Sequence, residues 1–268
     1  MAHDTPKSTG LRTFIEGAQL GMDYQLAIAL GQIAGHATFR AIGRRVAIST
    51  AVGGDDAWEG VAVAVPFPDQ TVGEQMTLVS TDAQDSAAGT GAQQVRVSYL
   101  TAAGAEASEV VTMNGVAPVN MVATNIRFNQ LIRTERVGAL GAVAAGDVTI
   151  YRTGDAARIY NVIKAGGNVS LCAHRMVPAG KTLYINHIKA DAVDNKPLSV
   201  RFRATCDFES VLTPNIFIFN EIFELQNSSD VMPLLIPRVF PALTIIKASI
   251  VATSAGGTAS LSYGGWIE

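Results

Sequence analysis

Charge is what this chain has least of. Asp, Glu, Lys and Arg make up 16% of its 268 residues, against roughly 25% in an ordinary globular domain. The 20 Lys and Arg and 23 Asp and Glu nearly cancel, leaving a net charge of −3. No chain-wide field exists for gripping phosphates, so nucleic-acid binding is disfavoured. Cysteine is scarce too: Cys172 and Cys206 lie far apart without C-x-x-C spacing and read as buried reduced thiols, not as a disulfide framework. Aromatic residues are 7% of the chain. The longest uncharged stretch, Ala248 to Ile267, is full of Ser, Thr and Gly and suits a β-hairpin better than a membrane span. The first ten residues are polar and carry Asp4 and Lys7, so neither a signal peptide nor a membrane anchor is expected. What the chain does have is a 48% hydrophobic content, enough for a sizeable core in one or two domains.

The pattern changes near residue 45. Before it, Phe14, Ala18, Gly21-Met22, Leu26, Ala27, Leu30 and Ile33 recur at intervals near three and four, which suits a short helix. Gly17, Gly21, Gly31 and Gly35 weaken it, each costing about 1 kcal/mol relative to alanine. Residues 1–45 therefore read as an N-terminal arm, helical or extended, that orders on a partner. Arg40, Arg44 and Arg45 around Gly43 close it as a solvated turn or as a docking site for an acidic neighbour. From 46 to 268 the period is two, the signature of half-buried strands. In Gln94–Tyr99, Val95, Val97 and Tyr99 should face inward, and Glu109–Met113 should pair with that strand antiparallel. Asn114-Gly115 supplies a turn. Met121–Val137 and Val148–Tyr151 follow as strands. Lys181–Ala190, Leu198–Thr205, Asn215–Leu225, Leu243–Ala252 and Ala259–Ile267 complete the set. Many strands without βαβ alternation imply an all-β, jelly-roll-like β-sandwich. It is one sandwich or two, with a subdivision near 152–167 where Gly154, Gly166 and Gly167 gather.

Candidate chemistry is thin. Pro178-Ala179-Gly180-Lys181-Thr182 matches the end of a phosphate-binding loop, but Arg175 stands where the leading glycine belongs and a strand follows, so a turn is expected. Gly89-Thr90-Gly91 fails as a dinucleotide fingerprint at Gln94 for the same reason. Cys172 and His174 offer half of a zinc site, but His3, His36, His187 and Cys206 are scattered. Asp82 and Asp85, or Asp191 and Asp194, lack the loop of a calcium site and read as turn caps. No G-x-S-x-G and no paired carboxylates point to catalysis, and neither catalytic nor cofactor nor metal residues are assigned. Asn168-Val169-Ser170 and Asn227-Ser228-Ser229 match the glycosylation pattern but carry no weight without secretion. Trp58, Tyr99, Trp266, Phe202, Phe208, Phe217, Phe219 and Phe223 could form a sugar-stacking platform, although the even spacing of Phe217, Phe219 and Phe223 favours a core.

Val79-Ser80-Thr81-Asp82-Ala83-Gln84-Asp85-Ser86-Ala87-Ala88-Gly89-Thr90-Gly91-Ala92, followed by Val95-Arg96-Val97, resembles a pattern of tailed-bacteriophage virion structural proteins. Ser108-Glu109-Val110-Val111-Thr112-Met113-Asn114-Gly115 is similar to that family's "S-E-x-V-T-L-N-G" hairpin. Ala145-Gly146-Asp147-Val148-Thr149-Ile150 resembles "N-A-G-D-I-T-I", and Val177–Thr182 resembles "V-P-A-G-K-T". Pro233–Ile236 resembles the "P-L-x-I-P" lead into the last hairpin, and Gly31–Gly43, with Gly35-His36, the opening segment. The alanine-rich Val137–Ala145 and the inserted-looking Asp207–Asp230 depart from it. The resemblance implies a jelly-roll-like, non-enzymatic virion protein without cofactor, assembled in the host cytoplasm. It would be a capsid decoration or cement subunit, or a neck or tail adaptor or fibre base. Its partners would be the major capsid protein or other virion subunits, and it would form a homo-oligomer, with a trimer favoured. A host-glycan-binding module is the expectation from a different class. The low charge suits self-associating faces.

Overall fold

A computed structural model describes residues 24–51, 53–138, 143–193, 197–205 and 217–268. Helix α1 (Tyr24–Ala29) leads into β1 (Ala37–Val46) and the two-residue β2 (Asp55–Asp56). The middle of the chain builds β3 (Met76–Ser80), β4 (Ala92–Thr101), β5 (Glu106–Thr112), β6 (Val119–Asn120), β7 (Ile126–Val137), β8 (Val148–Arg152) and β9 (Asp155–Ile163). The last part builds β10 (Arg175–Met176), β11 (Leu183–Ala192), β12 (Leu198–Thr205), β13 (Phe217–Leu225), β14 (Ser229–Phe240), β15 (Ile245–Ala252) and β16 (Thr258–Ile267). Every pairing among the described strands is antiparallel.

Four sheets result, ordered β1-β16-β11-β14, β10-β15-β12-β13 with β2 on β15, β6-β3-β8-β9, and β5-β4-β7. The all-β expectation holds, but the sheets succeed one another in a propeller-like ring, not as a clear jelly roll. The physical reason is that the chain carries two separate sets of inward-facing apolar residues. Met76, Leu78, Val95, Val97, Ile126, Ile132, Val148 and Ile150 fill a core made wholly by β3 to β9 and their connections. Leu183, Ile185, Val200, Phe202, Ile250, Leu261 and Tyr263 fill another, to which β1 contributes Ala41. Leu100, Phe128, Met176 and Ile245 pack the two parts together.

The suggested dividing point at 152–167 falls largely inside the β8–β9 hairpin, whose two strands share one sheet. The chain instead leaves the outer core after β2 and returns to it at β10, so the middle part is an insertion between strands of the same sheets. The described part of the expected arm is not an arm. Residues 1–23 lie outside the described residues, α1 packs Ala27 and Ile28 on Trp266, and residues 37–45 are a strand that pairs with β16 from Ala37↔Ile267 to Val46↔Thr258. The inward positions of β1 are Ala41, Gly43 and Arg45, which give no apolar alternation to read.

The Gln94–Tyr99 strand and its partner follow expectation, with Val95, Val97 and Tyr99 buried and Val95 opposite Val111. Gly115 takes φ +61° in the predicted turn. β14 was hidden in the sequence by Pro233 and Pro237; it is an edge strand, where a missing N–H donor is tolerated.

Gly43 marks the closest approach of β1 to the return of the chain, because a Cβ there would collide with the Ala57 carbonyl oxygen and with Ala173. Gly43→Val is expected to lower unfolding free energy by about 1–3 kcal/mol, the cost of overpacking a close-packed core, read as a lower urea midpoint at unchanged slope.

Candidate functional site

Two consecutive buried carboxylates organise the place where the sheets meet. Asp55 and Asp56 form β2, and alternation sends their side chains to opposite faces. Asp55 Oδ2 accepts from Arg45 Nε at 2.9 Å and from the Ser49 N–H at 3.1 Å, and Ser49 Oγ donates to Oδ1. Asp56 Oδ2 accepts from the Val65 N–H at 2.7 Å and lies 2.8 Å from Lys247 Nζ, while Oδ1 is 3.6 Å from an Arg203 guanidinium nitrogen. The acidic neighbour anticipated for the arginine cluster is therefore Asp55 of this chain, and Arg45 is buried, not solvated in a turn.

Cys172 and His174 adjoin this junction. Both line a cavity of about 10 Å³ with Phe67, Asn129 and Tyr160, room for no more than about one water. Burial pushes the Cys172 thiol up to about 11, so the thiol stays protonated. Burial, reinforced by Lys247 and Arg203 against the pull of Asp56, pushes the His174 imidazole down to about 4. Its Nε2 lies 3.9 Å from Asp56 Oδ2, too far for a hydrogen bond. Thiol, imidazole and carboxylate thus come together, but sealed from solvent and with the thiol held in its protonated form, which is not the nucleophile. His36 and His187 sit elsewhere, and His3 and Cys206 lie outside the described residues. Among the described residues no three His, Cys, Asp or Glu side chains converge as metal ligands.

Asp85 explains the densest of the sequence motifs. Wholly buried, its Oδ1 accepts the N–H groups of Ala92 and Ala145 at 2.7 and 2.8 Å, and its Oδ2 accepts that of Gly146 at 2.9 Å and the Ser80 hydroxyl. Its own carbonyl accepts the Gly115 N–H at 2.7 Å. Segments 80–92 and 145–146 fold around this one carboxylate, and Gly115 joins them through the Asp85 main-chain carbonyl. A carboxylate surrounded by donors is no cation site. Asp82 caps its own turn through the Gln84 N–H at 2.8 Å, and Asp191 pairs with Lys189 at 3.0 Å. Asp194 lies outside the described residues. Pro178–Thr182 is a turn with Gly180 at φ +69° that leads into β11, and Gly91 packs against Asp85.

Among the described side chains the expected sugar platform is not assembled. Trp58 is 0% exposed; its indole packs under Gly60 and Nε1 donates to the Ala62 carbonyl at 2.9 Å. Tyr99 retains 8% exposure at a groove. Phe202 and Phe223 belong to the outer core, Trp266 is stacked on Tyr184 at 5.1 Å, and Phe208 lies outside the described residues. Phe217 and Phe219 lie in β13 opposite Thr205 and Arg203.

Two surface features stand out. A groove of about 690 Å³ runs between β1 and β16 on one side and β4, β5 and β7 on the other, lined by Tyr99, Glu106, Gln130 and Lys181 among others. The second feature had no counterpart among the expected sites. β13 and β14 are both sheet edges and expose Ile222, Val231 and Val239, with Leu235 at 100% and Ile236 at 84% exposure. The available signal was the apolar Leu234-Leu235-Ile236 bracketed by prolines. No family model, curated protein or solved structure matches the chain. No helix among the described residues is long and apolar enough to cross a membrane.

Asp85→Ala leaves the buried N–H groups of Ala92 and Gly146, and the part-buried one of Ala145, without their acceptor, and at about 1–3 kcal/mol for each buried group chemical denaturation should reveal a loss of at least about 2 kcal/mol. His174 generates a pH dependence of definite sign. The unfolded imidazole takes up a proton below 6.5 while the folded one resists until about 4, so this contribution is complete above pH 6.5 and is lost as pH falls towards 4. The shift corresponds to about 3 kcal/mol over that window, and a His174→Gln variant should flatten that part of the stability–pH curve.

Proposed function

We propose that the chain is a non-enzymatic structural subunit of a tailed-phage virion, a capsid decoration or cement protein that bridges neighbouring shell subunits and assembles as a homo-oligomer in the host cytoplasm. The observation that carries the reading is the apolar edge formed by Ile222, Val231, Leu235, Ile236 and Val239. Side chains of this kind on paired sheet edges are a hazard to a lone subunit and an asset to one that is covered on assembly. Low charge and the motif resemblance around Asp85 agree with it. A trimer is the favoured oligomer, the major capsid protein the favoured partner, and the segment preceding α1 the favoured docking arm. Location in the neck or tail, as an adaptor or fibre base, is the nearest variant.

A second reading has its own support. The groove beside Tyr99 carries Glu106 and Lys181, neither of which has an ion-pair partner among the described residues, and such a mix of apolar wall and polar rim suits a host glycan.

Quantitative mass spectrometry of purified particles tests the first reading. Copies comparable to the major capsid protein place the chain on the shell; a ring-like stoichiometry of about a dozen or fewer moves it to neck or tail; absence sinks the virion reading. Deleting residues 1–23, which keeps α1 on Trp266, is expected to reduce incorporation while leaving thermal stability unchanged; normal incorporation ends the arm reading. Binding to host capsular or lipopolysaccharide glycans that is lost in a Lys181→Glu variant would establish the groove instead.

A further inference from the structure

We propose that the groove between β1 and the β5-β4-β7 sheet binds a carboxylate-bearing sugar, a uronic acid within an otherwise neutral glycan, through Arg175 and Lys181. The inference rests on the glycan reading of that groove and names the class of glycan; it does not depend on whether the protein belongs to a virion.

Arg175 carries the argument. It is 7% exposed, and an arginine so deeply buried ordinarily has a carboxylate partner. The other cations enclosed around the junction obey this: Arg45 pairs with Asp55, and Arg203 and Lys247 pair with Asp56. Arg175 pairs with no carboxylate among the described residues. Its Nη1 is committed, donating to the Cys172 and His174 carbonyls at 2.8 and 2.6 Å, which fixes the plane of the guanidinium. The Nε–Nη2 edge makes no hydrogen bond among the described residues, yet it is not shut off from solvent. That edge is a fork that takes a carboxylate through two parallel bonds. Arg175 lines the groove of about 690 Å³, so the fork is preorganised and the counter-charge it lacks has room to come from outside the chain.

The remaining walls specify what surrounds that carboxylate. Lys181, in the turn before β11, lines the same groove and adds a second positive charge. His36 is already paired with Glu268 at 2.7 Å. Glu106 stands exposed in the groove. It repels a ligand charged at every position, such as an acidic peptide or a heavily sulfated chain, but it accepts hydrogen bonds from neutral hydroxyls. Ser98, Ser108 and Thr38 line the groove with hydroxyls of their own, and Tyr99 adds a ring. A site that wants one carboxylate among hydroxyls matches a uronate flanked by neutral sugars. Its volume lies within the range of about 300–1,000 Å³ usual for ligand sites.

Isothermal titration calorimetry on the full chain tests this with cellobiouronic acid, a glucuronate linked to glucose, against cellobiose, which differs from it only in lacking the carboxylate. The uronate should bind at least about 10-fold more tightly than cellobiose and should raise the melting temperature. Arg175→Lys keeps the charge but removes the fork, and it should weaken the uronate by about 10-fold. Lys181→Gln, in a turn outside both cores, should weaken it by about threefold, and decides the matter if the buried Arg175→Lys variant does not fold. Equal affinity for cellobiose, tighter binding of a triglutamate peptide than of the uronate, or a uronate affinity unchanged by these substitutions overturns the proposal. Neutral host glycans that bind the groove and are lost in Lys181→Glu would keep the glycan reading while ending this inference. If no saccharide binds, both fall.

Discussion

The adjacent carboxylates Asp55 and Asp56 are the constraint on which the rest of the molecule depends. A strand of two residues cannot hold itself in place by its own ladder, yet these two sit wholly inside. Asp55 ties β2 to Arg45 of β1 in the other sheet, and Asp56 ties it to Lys247 and Arg203 of its own sheet. The Val65 N–H on Asp56 then fixes the direction in which the chain departs towards the middle sheets. Buried ion pairs contribute little net stability but make misassembly costly, because any other arrangement leaves a charge in the interior without its partner. Here that penalty locks the junction between the outer core and the inserted one.

From that junction the architecture follows. The inserted strands carry their own apolar set and bury it around Ile126, Ile132 and Ile150, while their turns are knotted around Asp85. The outer strands cannot finish their core until β16 is wedged between β1 and β11, which makes the last strand the closing element and leaves β13 and β14 as free edges. Leu235 and Ile236 stay outside on one of these free edges, so topology, and not composition alone, leaves them exposed there.

Legibility of this chain varied with how its inward residues differ from its outward ones. β4, β8, β12 and β16 alternate large apolar with polar or small residues and were plain to read. β1 buries Ala41, Gly43 and Arg45, so its alternation carries no hydrophobic contrast and it passed for an arm. β14 carries two prolines that ordinarily end a strand, and only its edge position makes them acceptable. Trp58 looked available for a ligand because an indole beside a glycine reads alike whether the glycine opens a turn or forms the lid above the ring; Gly60 is the lid. Asp85 was rightly read as a turn carboxylate, but its partners at 92, 145 and 146 are far apart in sequence and could not be paired by spacing.

By itself the sequence determined the all-β class, most strand positions and the low charge, because period-two alternation and composition are local properties that survive without knowledge of partners. The tertiary structure alone decided that two cores exist, that one is inserted into the other, that Cys172 and His174 are sealed beside Asp56, and that Leu235 projects from a bulged edge. Each of these rests on contacts between residues distant in the chain, and burial, protonation state and exposure are properties of those contacts, not of the residues that make them.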